Sequence, residues 1–356
     1  LKRVNVFVGP NGCGKSNMYR AMYLLASTAS GQLARHIADE GGMGSISWGG
    51  GYGKSDSSST FLSAKIDNLE YELALGRDVR LRETLFYNDL EVKSERLFSV
   101  RGEGVRMSLL NRGRAEVKAR DSHGQALDYT QRVEPNESVL TGVREPHLFP
   151  QLSMLREELL SWRFYHHFRT DRQSPLRKPQ LAIGTAVMAE DGSDFVSALA
   201  TILEMGRGED LLECLEQAFP GSDLTIAPTQ NGKLRLSMTF PDINRPLDAS
   251  ELSDGTLQYL CLLASVFSLR PPSVLAINEP ETSIHPTLFD AMAKMLKVAS
   301  EDSQIWITTH SQELADYMLE YTGCSIWTLE KVEGETRLVG VGLGGYKEDD
   351  DETLDN

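Results

Sequence analysis

The chain opens on Val4-Asn-Val-Phe-Val8, a short β-branched run, and passes at once into glycines. Such a run predicts a buried parallel strand. Beyond the glycines, Met18, Ala21, Met22 and Leu25 recur at helical spacing, so strand, glycine-rich turn and helix follow in order. The final third alternates in the same way. Strands are expected over Val274–Asn278, Ile305–Thr309 and Ser325–Leu329, and helices over Thr287–Val298 and Gln312–Tyr321. That alternation predicts a parallel sheet flanked by helices, whose first strand is the N-terminal one. Leu257–Phe267 is almost wholly apolar and predicts a helix buried on nearly every side.

The middle of the chain follows other rules. From Thr60 to about Val133, segments such as Phe61–Ile66, Leu69–Leu75 and Val105–Leu110 alternate apolar and polar positions between Asn, Asp and Gly turns, which predicts antiparallel strands. Residues 41–59, including Trp48–Lys54 and Ser57–Ser59, are dominated by Gly and Ser and read as a surface loop. Helical spacing over Leu148–Trp162, Phe195–Met205 and Leu211–Phe219, with a strand of a hairpin at Lys233–Phe240, predicts a helical subdomain. The expected organisation is therefore a discontinuous core of residues 1–40 and 245–345. A β-rich insertion (41–145), a helical subdomain with its hairpin (146–244) and a tail (346–356) complete it.

Composition narrows the function classes. With 356 residues and 40% hydrophobic content the chain can bury a sizeable core. No stretch approaches the ~20 apolar residues that a membrane span needs. The formal net charge of −15 opposes indiscriminate coating of nucleic acid, so any DNA contact must be local. Much of the excess lies in the acidic tail from Lys347, which reads as a solvated, disordered end. Cys13, Cys214, Cys261 and Cys324 form neither a metal-ligand pattern nor a disulfide framework and suggest a reducing, cytoplasmic setting. The chain begins at Leu1, not Met, and something upstream is expected to be missing.

Four segments carry candidate chemistry. Gly9-Pro10-Asn11-Gly12-Cys13-Gly14-Lys15-Ser16 matches the complete G-x-x-x-x-G-K-[ST] pattern between a predicted strand and helix. In such a P-loop the glycines let backbone N–H groups face phosphates, Lys15 supplies a point charge, and the Ser16 hydroxyl ligates Mg²⁺. Ser273–Glu279 is an apolar strand ending in Asn278 and Glu279, expected to lie beside the P-loop strand at the sheet's carboxyl edge, where ligands of open α/β sheets gather. Glu279 is a candidate to orient or deprotonate an attacking water. Asn278, where such strands usually end in Asp, can still touch a Mg²⁺-bound water but holds the ion more weakly without a full charge. Ile305–Ser311 is a second buried strand ending in His310, with Ser311 placed to cap the next helix. Glu251-Leu-Ser253-Asp254-Gly255-Thr256 precedes the apolar helix, and Ser253 or Asp254 is a good N-cap.

Taken together and in this order, Gly9–Asn17, Leu252–Gly255, Asn278–Glu281 and Thr309–Ser311 resemble the motifs of the RecF/SMC-like AAA family ATPases, relatives of ABC ATPases. The resemblance covers residues 1–30 and 245–330 well, and the middle only in its β-then-α character. It implies an α/β fold, a P-loop NTPase head of ABC/SMC type carrying an inserted antiparallel β region and a helical subdomain. It also implies a head-to-tail homodimer around two ATP molecules with Mg²⁺. Residues 9–17 would hold the nucleotide in one subunit, and Ser253, Asp254 and Gly255 would complete the site of the other, with Ser253 and Gly255 reaching the γ-phosphate. Glu279 would be the catalytic glutamate, His310 the switch histidine, and Glu281–Ser283 the loop touching the opposite site. Asp254 replaces a residue that is often Gly, Asn278 replaces Asp, and no Mg²⁺-contacting glutamine is placed.

Residues 164–179 look like a group of bacterial RecF-like ATPases, and together with the preceding Arg163 they concentrate Arg169, Arg172, Arg177 and Lys178 against a single acid, Asp171. A stretch of this kind either grips a nucleic-acid backbone or satisfies carboxylates and helix ends within the fold. A DNA transaction in repair or defence, or a nuclease or other effector partner, is the expected setting. Alternatives are an ABC transporter subunit and an ATP-gated scaffold with negligible hydrolysis. Val332–Thr336 superficially resembles the start of a TOPRIM nuclease domain, but residues 325–342 read as a terminal hairpin.

Overall fold

The computed structural model of the chain describes residues 1–46, 59–77, 85, 89–102, 105–114, 116–129 and 133–339. Most of the Gly/Ser stretch and the whole acidic tail lie outside the described residues. Two compact units emerge, one of Leu1–Tyr19 with Arg163–Asn356 and the other of Arg20–Trp162. One cut falls inside the first helix, between Tyr19 and Arg20, and the other between Trp162 and Arg163. The chain starts with β1 (Val4–Val8), every residue buried, and α1 (Lys15–Ser30), within which the division lies.

In the second unit, α2 (Leu33–Asp39) and α3 (Met43–Ile46) precede six antiparallel strands in sequence order. The strands are β2 (Thr60–Ile66), β3 (Leu69–Arg77), β4 (Leu90–Arg101), β5 (Val105–Arg112), β6 (Val117–Arg120) and β7 (Ala126–Asp128). Residues 43–46 are thus helical where the glycine content predicted loop, because Met43 is fully buried and anchors the turn. Glu95, fully buried on β4, accepts hydrogen bonds from Tyr71 Oη (2.9 Å), Ser138 Oγ (2.7 Å) and the Val139 N–H (3.0 Å). These bonds satisfy the carboxylate and pin the start of α4 (Val139–Gly142), which precedes α5 (Pro150–Ser161).

The first unit holds the core sheet. It comprises β1, β8 (Arg163–Tyr165), β13 (Val274–Asn278), β14 (Gln304–Thr309), β15 (Ser325–Val332) and β16 (Glu335–Leu338), in the order β16-β15-β1-β14-β13-β8. All neighbours are parallel except the β15–β16 hairpin, the terminal hairpin expected near residues 325–342. A smaller antiparallel sheet is formed by β9 (Gln180–Leu181), β10 (Asp223–Pro228), β11 (Lys233–Thr239) and β12 (Leu247–Asp248). The helices are α6 (Phe195–Met205), α7 (Gly208–Ala218), α8 (Asp254–Val266), α9 (Phe289–Ala299) and α10 (Gln312–Thr322).

One expectation about the sheet is overturned. β13 does not lie beside β1; β14 is inserted between them, pairing Val8 with Thr309 on one side and Asn278 with Thr308 on the other. Alternating strands and helices fix a parallel sheet but not the order of its strands. Within the core, every residue of α8 from Thr256 to Val266 is buried, as its all-round apolar pattern requires.

Candidate functional site

β1, β14 and β13 run parallel and in register, so the residues that follow them emerge at one edge of the sheet. After β1 the chain needs glycine: Gly12 and Gly14 have φ of +80° and +104°, a region in which a side chain is strained. A Cβ on Gly14 would also collide with Thr336 of β16, which backs the loop. Lys15 is buried, its ammonium donating to the carbonyls of Gly9 (2.7 Å) and Pro10 (3.2 Å). It is thus folded back across the loop, held by weak neutral acceptors that a phosphate would outcompete. Asn11, Gly12, Ser16 and Asn17 are exposed. Cys13 is not, because its side chain packs with Phe7 and Leu329.

At the end of β13, Asn278 is buried and held at both its amide oxygen and its amide nitrogen. Its Oδ1 accepts from Thr308 Oγ1 (2.5 Å), and its amide nitrogen lies 2.6 Å from His166 Nδ1. His166 follows β8, the strand on the far side of β13, and is exposed at the same edge. Sequence periodicity does not reveal it, because β8 is three residues long, too short for any period to show. The aromatic pair Phe164-Tyr165 is the signal that could have marked a strand, and both are buried.

Glu279 takes φ +50° while its N–H donates to Thr308 O (2.8 Å). A left-handed residue without glycine is a local strain of the kind found at functional turns. Glu281 departs from expectation. Assigned by resemblance to the loop touching an opposite site, it is buried, with Oε1 accepting from Thr309 Oγ1 (2.6 Å) and from the backbone N–H of His310 (2.9 Å), whose ring Nδ1 stands 2.9 Å from the same oxygen. The His310 side chain remains half exposed.

Ser253 N-caps α8, accepting from the Thr256 N–H at 3.1 Å, and stays exposed with Asp254. The same segment therefore serves as helix start and as an open polar surface. Gly255 lies against the turn after β13: a Cβ there would stand 2.7 Å from the Ser283 carbonyl oxygen. Arg177 holds the segment from behind. Its guanidinium donates to the carbonyls of Thr170 (2.7 Å), Ala249 (3.3 Å), Ser250 (3.2 Å) and Leu252 (2.7 Å) and to Asp254 Oδ1 (2.6 Å). Arg169 pairs with Asp171 at the surface, so of the arginines offered to a nucleic-acid backbone Arg177 is engaged inside the fold, while Arg169, Arg172 and Lys178 are exposed. Arg245, bidentate on Glu251 with help from the Asp248 N–H, pulls that carboxyl down to about 2.

A triphosphate with Mg²⁺ suits this donor set. Mg²⁺ takes oxygen ligands and keeps several waters, Ser16 is exposed in the first turn of α1, and the amide oxygen of Asn278 retains one lone pair. Among the described residues no cluster of three or more His, Cys, Asp or Glu could hold a metal by itself, so a cation here would rely on the nucleotide's own oxygens.

Residues 4–316 match the family model described as "AAA domain, putative AbiEii toxin, Type IV TA system". The chain belongs to this AAA family. No curated protein matches it. Among solved structures, the AAA chain is similar to an SMC head bound to the C-winged helix domain of ScpA, with TM-score 0.52, 12% identity, and coverage of 96% of this chain and 91% of that one. An SMC head with an extended coiled coil, from Pyrococcus furiosus, gives 0.49, 12%, 96% and 90%, and the SMC head domain of Thermotoga maritima 0.43, 13%, 96% and 91%. The AAA chain thus has the P-loop ATPase head fold of the RecF/SMC/ABC type.

Proposed function

We propose that this AAA protein binds ATP with Mg²⁺ at the edge formed by the P-loop, Asn278, Glu279 and His310, and hydrolyses it in a head-to-tail homodimer. The observation that carries the reading is the strand register, which brings Val8, Asn278 and Thr309 to a common end of the sheet and delivers the three motifs together. Residues 9–17 bind the phosphates, Lys15 exchanging its carbonyl acceptors for phosphate oxygens. Ser16 and, through water, Asn278 hold Mg²⁺, which when bound neutralises charge on the β- and γ-phosphates. Glu279 accepts the proton of the attacking water, and His310 contacts the γ-phosphate. Exposed Ser253 and Asp254, with the half-buried Gly255, complete the partner's site, and exposed Ser283 is the part of the 281–283 turn available to it.

Dimer closure on ATP would then act on a DNA end or an effector protein in the cytoplasm. The engagement of Arg177 within the fold favours the effector. The experiment is nucleotide binding and sizing of two variants. Lys15→Ala should abolish binding of a fluorescent ATP analogue. Glu279→Gln should bind ATP, lose turnover by ~10²-fold or more, and run as a dimer only when ATP is present. Undiminished affinity in Lys15→Ala, or a monomeric Glu279→Gln under saturating ATP, defeats the reading.

A second reading, an ATP-gated scaffold with negligible hydrolysis, is favoured by one observation: Asn278 is neutral and held between Thr308 and His166. In that case wild type and Glu279→Gln would dimerise alike on ATP, and neither would turn it over.

A further inference from the structure

We propose that His166 belongs to the nucleotide site as a neutral hydrogen-bond donor, its Nε2–H meeting an oxygen of the terminal phosphates. The inference rests on the site proposed above and adds to it a residue from a strand that carries none of its motifs. His166 directly follows β8 and is exposed at the sheet edge, while its Nδ1 shares a hydrogen bond of 2.6 Å with the amide nitrogen of Asn278. The ring also lies beside that of Tyr19, the centroids 6.1 Å apart, and Tyr19 is set edge-on against Phe164 at 5.6 Å. Tyr19 follows Ser16 by three residues in α1, so the two share one face of that helix. His166 is thus in contact with Asn278 and next to the helix face that carries Ser16, the two groups assigned to Mg²⁺.

The direction of each hydrogen bond fixes which ring nitrogen carries the hydrogen. The Thr308 hydroxyl is buried 2.5 Å from Asn278 Oδ1 and has no other partner among the described residues. Were the amide turned over, that hydroxyl would accept from the amide, and its own hydrogen would be left buried without an acceptor, a loss the observed arrangement avoids. The amide NH₂ therefore faces His166, and because an amide nitrogen only donates, Nδ1 must be bare. In the neutral ring the hydrogen is then on Nε2. Such a ring has no lone pair left for a cation, since the amide takes Nδ1 and hydrogen occupies Nε2. What it can do is donate, and at an edge suited to a triphosphate the acceptors are anionic oxygens, which form the stronger hydrogen bonds. Asn278 in place of a carboxylate makes this possible. An Asp there would accept from Nδ1–H and leave Nε2 bare toward the phosphates.

The test uses the full chain, with its ring nitrogens labelled with ¹⁵N and the His166 resonances among the seven histidines assigned by comparison with His166→Gln. Without nucleotide, the neutral ring of wild type should carry its hydrogen on Nε2, and Asn278→Asp should move it to Nδ1. Affinity for a fluorescent ATP analogue with Mg²⁺ reads the contact itself. His166→Phe, which keeps a ring beside Tyr19 but has no donor, should bind roughly 10- to 100-fold more weakly, the scale of one hydrogen bond to a charged group. His166→Gln, whose amide NH₂ still donates, should recover most of the loss. In an Asn278→Ala background His166→Phe should still weaken binding, which a residue acting only through Asn278 would not do.

An Nδ1–H ring in wild type, undiminished affinity in His166→Phe, or no further loss beyond Asn278→Ala would overturn the proposal. The wild-type tautomer and the affinity of His166→Gln decide the matter if the phenylalanine variant fails to fold. Binding lost in Lys15→Ala but intact in His166→Phe would count against His166 alone, whereas binding intact in both would defeat the site itself.

Discussion

Arg177 shows what a basic stretch means once its geometry is known. From sequence it was one of five cations beside a single acid, as suited to phosphate as to the protein itself; folded, its fork gathers three carbonyls and a carboxylate from residues 249–254. Those acceptors are some 72 to 77 positions away in sequence, beyond anything local spacing reveals. Arg177→Ala should leave them unpaired and lower stability by about 2–4 kcal/mol, read as a fall in Tm of roughly 4–10 °C. Lys should not substitute, having no planar fork. The thiols invite a second prediction. All four are buried, and burial pushes Cys214 up to about 11 and raises Cys261 and Cys324 as well. At pH 8 the native protein should therefore release almost no thionitrobenzoate from Ellman's reagent, against four equivalents once unfolded. Cys13, in spite of its place in the phosphate loop, should be protected by packing, and rapid native modification there would contradict its burial.

Elements were legible wherever a period could run. Val4–Val8, Phe195–Met205 and Val274–Asn278 stand where their patterns put them, because each is long enough for burial to repeat. β4 lies within the stretch expected to form antiparallel strands, but its limits are not legible, since Glu91, Lys93, Glu95 and Arg96 break its apolar pattern and the buried Glu95 is satisfied by groups from elsewhere in the fold. β8 failed for the opposite reason, being too short. At the N-terminus of α8, Ser253→Ala should cost about 1 kcal/mol through the lost bond to the Thr256 N–H. Gly255→Ala should cost about 1–3 kcal/mol, because the obstructing Ser283 oxygen is backbone and cannot swing aside. Chemical denaturation of the two variants separates the cap from the close approach: the first should be repaired by Asp, the second by no larger side chain.

For the whole molecule, the motifs of the site were readable in sequence but their arrangement was not. P-loop, strand-end glutamate and strand-end histidine could be named from residue types, yet which strand lies between which is settled by packing. So is the way Glu281 turns inward to His310 while Ser283 remains outside. The placement of β1 between β14 and β15 also has a consequence for biosynthesis. Val4 pairs with Ile305, about 300 residues later, so at ~5–20 residues per second β1 waits roughly 15–60 s on the ribosome before its neighbours exist. During that interval Val4–Val8 is a naked apolar edge, a natural client for a holding chaperone, and nascent chains arrested short of β14 should stay captured where those released after β15 go free.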